Sequence, residues 1–244
     1  MHVPGANLRQ PPHSGGCVLN AAKMVVLGVA IAAVAGDVYA KRMSFRVSDP
    51  VHRDVVTFVS NAAMEKVVGS TSVVSGEIAV DLDAVGREPV AAFRVDLRSL
   101  KTRIQRRDED MRRDYLETDN YPEIRFRLRA GTDAPTGAVV AGIPFEFKAV
   151  GDVSLHGVTR QEAVDIRAVF WPESDQTRKR LPGNLLRIEA TFDLLLSNYE
   201  IEIPQLVVLR VDDRVHVSVD VLASDASPDD LARLNPCNPC GSPH

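Results

Sequence analysis

Between about residue 44 and residue 224 the chain is dominated by a two-residue alternation of apolar and polar side chains. Ile78, Val80 and Leu82 alternate with Glu77, Asp81 and Asp83; Phe93, Val95 and Leu97 alternate with Arg94, Asp96 and Arg98. Ile124, Phe126 and Leu128 are interleaved with Arg125, Arg127 and Arg129, and Val215, Val217, Val219 and Val221 with His216, Ser218 and Asp220. Three longer runs keep the same phase: Phe145 to Leu155 across Gly151, Val164 to Phe170, and Leu186 to Leu196. A period of two marks strands with one face inward and one in water. With Val56/Phe58 and Leu206 to Val211, the pattern predicts eight or nine strands. Short connections at His156-Gly157-Val158-Thr159-Arg160 and Asp212-Asp213 join them as antiparallel neighbours. A meander of this length exposes two edges unless it closes, so the expected fold is all-β, an antiparallel barrel, with a two-sheet sandwich as the other solution.

One segment changes period. In TRIQRRDEDMRRDYLET, residues 102–118, Ile104, Met111 and Tyr115 share a helical face and Glu109 stands four residues before Arg113. The spacing predicts a single amphipathic helix over about 103–118. Asp119-Asn120-Tyr121-Pro122 then turns the chain into the next strand. Gly151 is a candidate bend in its strand. The polar, proline-bounded stretch 172–184 is expected to be a mobile loop, and 225–244 a disordered tail.

The amino terminus has a different character. Lys23 precedes an apolar run, residues 24–36, and Val38 and Ala40 sit at the −3 and −1 positions of a signal-peptidase site. The run is shorter than the roughly 20 residues of a membrane span. It reads as a secretory signal over 1–40, with cleavage near Ala40 and a periplasmic or secreted mature chain. Two of the three cysteines, Cys237 and Cys240, form a CxxC in the tail. Export makes a disulfide between them permissible; the sharper reading is a thiol pair serving a redox partner protein.

Composition narrows the function. A formal net charge of −4 argues against a nucleic-acid partner. No Gly-x-Ser-x-Gly elbow occurs, and His52, His156 and His216 lack ligand spacing, so neither an enzyme, a metal site nor a cofactor is expected. The inward set Phe93, Val95, Phe126, Phe145, Phe147, Phe170, Phe192 and Leu194 is either ordinary core or the wall of a cavity, since a barrel of eight strands is just wide enough for both. The charges from Arg98 to Asp114 have the mixed signs of a solvated helix face. The alternative is a collar around a lipid headgroup or pyrophosphate.

Three ordered motifs carry a family resemblance. Ser99-Leu100-x-Thr102, Arg107-Asp108 and Tyr115-Leu116 lead into Tyr121-Pro122-x-Ile124-x-Phe126; Gly151 to Arg160 ends in His-Gly-Val-Thr; and Leu196-Ser197-Asn198-Tyr199-Glu200-Ile201 follows. Over residues 44–224 the chain resembles the YceI-like, polyisoprenoid-binding proteins. That resemblance implies a lipocalin-like barrel, usually periplasmic, holding an isoprenoid or other long-chain lipid such as a quinone tail. The chain departs from it at Asp110, where many members carry His, and at Asn198, where many carry Arg. The function expected is therefore an exported binding protein with the lipid in the barrel interior. The alternative is a non-catalytic component of an exported redox or stress-response system acting through the CxxC. A homodimer is left open.

Overall fold

The computed structural model describes residues 42–61, 65–135, 137–202 and 212–234. The expected signal over 1–40, the strand at 206–211 and Cys237 and Cys240 lie outside the described residues. All described residues belong to one compact unit, Tyr39–His244.

Ten strand segments form one antiparallel sheet: β1 (Arg42–Val47), β2 (Val55–Asn61), β3 (Lys66–Thr71), β4 (Val74–Asp81), β5 (Val90–Asp96), β6 (Glu123–Thr132), β7 (Phe145–Leu155), β8 (Val158–Trp171), β9 (Leu185–Leu195) and β10 (Arg214–Ser224). From β4 to β10 each strand pairs with the next, as the short connections require. β1 then pairs with β4 along its length and with β10 at Arg46↔Ser224, which closes a barrel of eight strands. The remaining two, β2 and β3, are a hairpin laid on the other half of β10, with Val215↔Ser60 through Asp220↔Val55 in register. The hairpin returns to the wall through one bridge, Ser70↔Lys101. The barrel is thus wider at the β2–β3 end than at the β1 end.

β10 changes partner between Asp220 and Ser224, and the change would leave the Leu222 N–H without a strand partner. Asp54, in the link from β1 to β2, supplies the acceptor: Leu222 N–H donates to Asp54 Oδ1 at 2.8 Å. A buried polar group needs such a partner. Asp54 is 3% exposed. Burial raises its carboxyl above the ordinary value, with the nearby Asp49 charge adding to this and the Leu222 N–H working against it. A raised folded-state pKa means the charged form is penalised in the fold. Stability contributed by this group is full below the unfolded carboxylate range of about 4 and declines as pH climbs through the raised value. Asp54→Asn keeps the acceptor oxygen and removes the charge. It is expected to raise Tm at pH 7 and to converge on the parent near pH 3, measured by thermal melts across that range. A variant less stable than the parent at pH 7 would contradict this account.

Local sequence explains the remaining turns and bends. His156 and Gly157 both have positive φ, 51° and 76°, the two-residue turn whose twist matches the flanking strands. The register slips between Leu128 and Ala130 on β6, beside Gly151 of β7. The bulge thus lies on β6, opposite Gly151, whereas the bend was expected within the glycine's own strand. Gly151 is also a steric requirement, because a Cβ there would lie 2.1 Å from the Phe126 ring. Gly76 stands in the same relation to Phe93, its direct cross-strand partner.

Three features differ from expectation. The helix is shorter than 103–118: α1 (Gln105–Asp110) runs into one π-helical turn, Met111–Tyr115. Arg103 at φ 69° and Glu117 at φ 43° are left-handed and stop it at both ends. The loop 172–184 has an apolar anchor: Leu181 is buried, and packs with Leu185 and Leu231. The stretch expected as tail begins with a helix, α2 (Pro228–Ala232). Ser227 caps it by accepting from the Asp230 N–H, Pro228 opens its first turn, and Leu231 docks on that same cluster. Two acidic residues and a proline read as disorder by composition, but they equally suit a helix N-terminus.

Candidate ligand cavity

The wide end of the barrel holds a cavity of about 530 Å³, within the roughly 300–1,000 Å³ of small-molecule sites. Its wall is built from inward positions of five strands: Val56 and Phe58 of β2, Val67 of β3, Val95 of β5, Ile124 of β6 and Leu155 of β7. Leu194 of β9 and Val215 and Val217 of β10 complete the far side. The helix closes over it with Ile104, Met111, Tyr115 and Leu116, so the face predicted from the 104/111/115 spacing is the one that meets the cavity. Polar lining is confined to Ser60, Glu65, Thr102, Arg106, Arg107, Asp110 and Glu202. Of these Glu65, Arg106 and Glu202 are exposed, and they mark where the cavity opens.

The eight interior residues named from the sequence are divided by the structure. Val95 and Leu194 line the cavity. Phe126 and Phe192 are not in the lining but pack against the core cluster that includes the wall residues Leu155, Leu194 and Val217. Phe93, Phe145, Phe147 and Phe170 pack instead against a second cluster around Phe45, Ile78 and Val221 at the β1 end. There Phe145 and Phe147 stack at 6.2 Å, and Phe45 meets Phe170 edge-on at 6.4 Å. Alternation assigns a residue to the inside but carries no information on height along the barrel. Leu97 and Leu196 close inward-facing runs of the alternation but were not among the eight residues named; Leu100 and Ile201 were missed because they lie beside short 3-10 turns, where no period reveals them.

A buried carboxylate fixes the helix over the opening. Asp108 is 6% exposed, and its Oδ1 accepts from both the backbone N–H and the hydroxyl of Thr102, each at 2.6 Å. Arg107 Nε donates to the same hydroxyl at 2.8 Å, while its Nη1 donates to Glu65 Oε1 at 3.0 Å. Arg112 Nη1 donates to the Leu100 carbonyl at 3.2 Å. The Arg107-Asp108 pair therefore ties α1 to the chain leaving β5 and to the entry of β3.

The three motifs converge on one buried knot beside the cavity floor. Tyr199 is fully buried and its phenol donates to Glu162 Oε1 at 2.9 Å. Burial, then the Glu162 hydrogen bond, push that phenol up from its ordinary value. His156 donates from Nδ1 to the Tyr199 carbonyl at 3.2 Å and packs on Tyr121 with ring centroids 4.6 Å apart. Its Nε2 is buried without a hydrogen bond, 3.6 Å from Glu117 Oε1. Arg160 Nε donates to the Asn198 carbonyl at 3.1 Å. That contact uses backbone, so the side chain at 198 is not needed for it. Asp110, the other departure, pairs with Arg113 at 3.1 Å. Among the described residues, no three histidine, cysteine or carboxylate side chains are gathered as a metal site would require.

No curated protein matches the chain. Among solved structures it is similar to BcnA of Burkholderia cenocepacia, at 15% identity and TM-score 0.55 over 73% of this chain and 99% of that one. It is also similar to a polyisoprenoid binding domain from Saccharophagus degradans implicated in plant cell wall breakdown, at 16% identity and TM-score 0.57 over 75% and 98%. A YCEI protein of Campylobacter jejuni matches at 14% identity and TM-score 0.54 over 68% and 90%. Identities this low establish a shared barrel and nothing finer. The model of the YceI-like domain matches residues 47–223, from the end of β1 to the end of β10. With the closed barrel, the covering helix and the three converging motifs, this match makes the chain a member of the YceI-like domain family.

Proposed function

We propose that the protein is a lipid-binding barrel that holds one long apolar chain, of isoprenoid or quinone-tail type, in the cavity at its wide end. The observation that carries this reading is the segregation of the lining: a mostly apolar wall, with the charged residues on the covering helix, at the entry of β3 and at Glu202, three of them exposed where the cavity opens. Such a site recognises area. Each methylene moved out of water contributes about 0.8 kcal/mol, so a long chain needs few polar anchors. The relative from Saccharophagus degradans is a polyisoprenoid binding domain, which supports the same ligand class. The segment 1–40 supports export, with the mature protein periplasmic or secreted.

The test is extraction of the purified protein followed by mass spectrometry, with uptake of an added isoprenoid quinone from detergent solution measured separately. One apolar chain bound per protein is the expected result. A protein that emerges empty and takes up no quinone would sink the proposal.

A further inference from the structure

At the opening, one exposed apolar side chain is ringed by cations that nothing else engages. Ile104 is 50% exposed at the rim of the cavity. Lys101, Arg103 and Arg106 surround it in sequence, all exposed, and none has a hydrogen-bond or ion-pair partner for its side chain among the described residues. Of the acids nearby, Glu202 at the opening has no side-chain partner among the described residues, and the others are already engaged. Asp108 is buried against Thr102, Glu109 accepts from the Gln105 amide at 2.9 Å, Asp110 and Asp114 pair with Arg113, and Glu65 pairs with Arg107. The left-handed Arg103 (φ 69°) leaves Lys101, Arg103 and Ile104 ahead of the helix, on the link that follows β5, with Arg106 in its first turn. In a chain of net charge −4, it is a local excess of free positive charge around an apolar tip.

We propose that this rim is a contact surface for an anionic lipid bilayer, with Ile104 entering the interface and Lys101, Arg103 and Arg106 meeting the headgroups. The inference rests on the lipid-binding reading, because a long apolar chain cannot cross water cheaply: at about 0.8 kcal/mol per methylene, passage through solvent is slow, and the opening must meet the membrane. Free basic side chains around an apolar residue are the side-chain chemistry that such a contact uses. Their place at the opening would let the chain slide from bilayer to cavity without exposure.

The experiment uses the whole protein and two readouts. The first is quinone loading from detergent solution, which tests the cavity alone. The second is flotation with vesicles of phosphatidylcholine, with and without phosphatidylglycerol, together with the rate of quinone transfer out of them. Binding and transfer are expected to need phosphatidylglycerol and to fall as salt rises. Each basic residue near an anionic surface is worth about fivefold in affinity. Lys101→Gln with Arg103→Gln, neither of which lines the cavity, should therefore cost about 25-fold in vesicle affinity at unchanged loading from detergent. Ile104→Ser should reduce vesicle binding as well. Loading intact but transfer equal from neutral and anionic vesicles would overturn the docking surface and leave the cavity standing. Vesicle binding without any loading would uphold the surface and remove the lipid-carrier reading. A concentration-dependent dimer abolished by the same substitutions would assign the rim to a second copy of the chain and overturn the proposal.

Discussion

Val217→Phe is expected to weaken quinone binding strongly while the barrel stays folded. Val217 faces the cavity from β10, with Phe58 of β2 and Phe192 of β9 as its two cross-strand neighbours. A phenylalanine there extends into space that no side chain occupies and completes a row of three rings across the channel. The ligand would have to displace a ring. Forced overlap of that kind costs about 1–3 kcal/mol, or about tenfold to a hundredfold in affinity. Tm should be unchanged or higher, because the added ring gains contacts it does not have to compete for. The comparison that gives this meaning is Ala223→Phe, on the same strand at the β1 end. Ala223 has no exposed surface and sits among Phe45, Ile78 and Val221. The same ring there must overpack the core, with an expected loss of about 3 kcal/mol. Loading assays and melts on both variants check the pair. Val217→Phe losing as much stability as Ala223→Phe would mean the wide end is packed and the cavity is not a binding space.

Asp108→Ala should detach the helix from the opening. It removes the acceptor for two hydrogen bonds from Thr102 and leaves the buried Thr102 N–H unsatisfied. Hydrogen bonds to a charged group are worth about 1.5–3 kcal/mol each, so a loss of about 3 kcal/mol in chemical denaturation is expected. Asp108→Asn retains an oxygen in the same place and should recover most of it. Hydrogen exchange would show where the loss falls: amides of residues 105–115 should lose protection first, before those of the strands. Uniform loss across β4 to β10 would mean Asp108 supports the barrel and not its cover.

The strands were legible because half-buried pleats force alternation, and eight of the ten segments coincide with stretches read directly from it. β1 and β3 were not read. Each is six residues long, and in KVVGST Val67 points in while Val68 points out, so the alternation is blurred by a second valine. The covering helix was legible from Ile104, Met111 and Tyr115, but its ends were not. Left-handed Arg103 and Glu117 carry no signature in residue type, since neither is glycine or asparagine. The engagement of Asp108 was equally hidden, because it sits in a run of charges that composition reads as solvated and only burial distinguishes it from Glu109.

By itself the sequence determined that the chain would be an antiparallel barrel with one amphipathic helix, that its inward face would be apolar, and which family it belongs to. These follow from local periodicity and from residues close in sequence. Only the tertiary structure decided that β2 and β3 widen one end, that Val95 and Leu194 face the cavity while Phe145, Phe147 and Phe170 pack elsewhere, and that three distant motifs meet around Tyr199. The physical reason is the closure of the sheet. Closure sets which inward residues share a level, and it depends on where β10 changes partner, a choice made by strands more than 150 residues apart and fixed at Asp54 and Leu222 (|i−j| = 168).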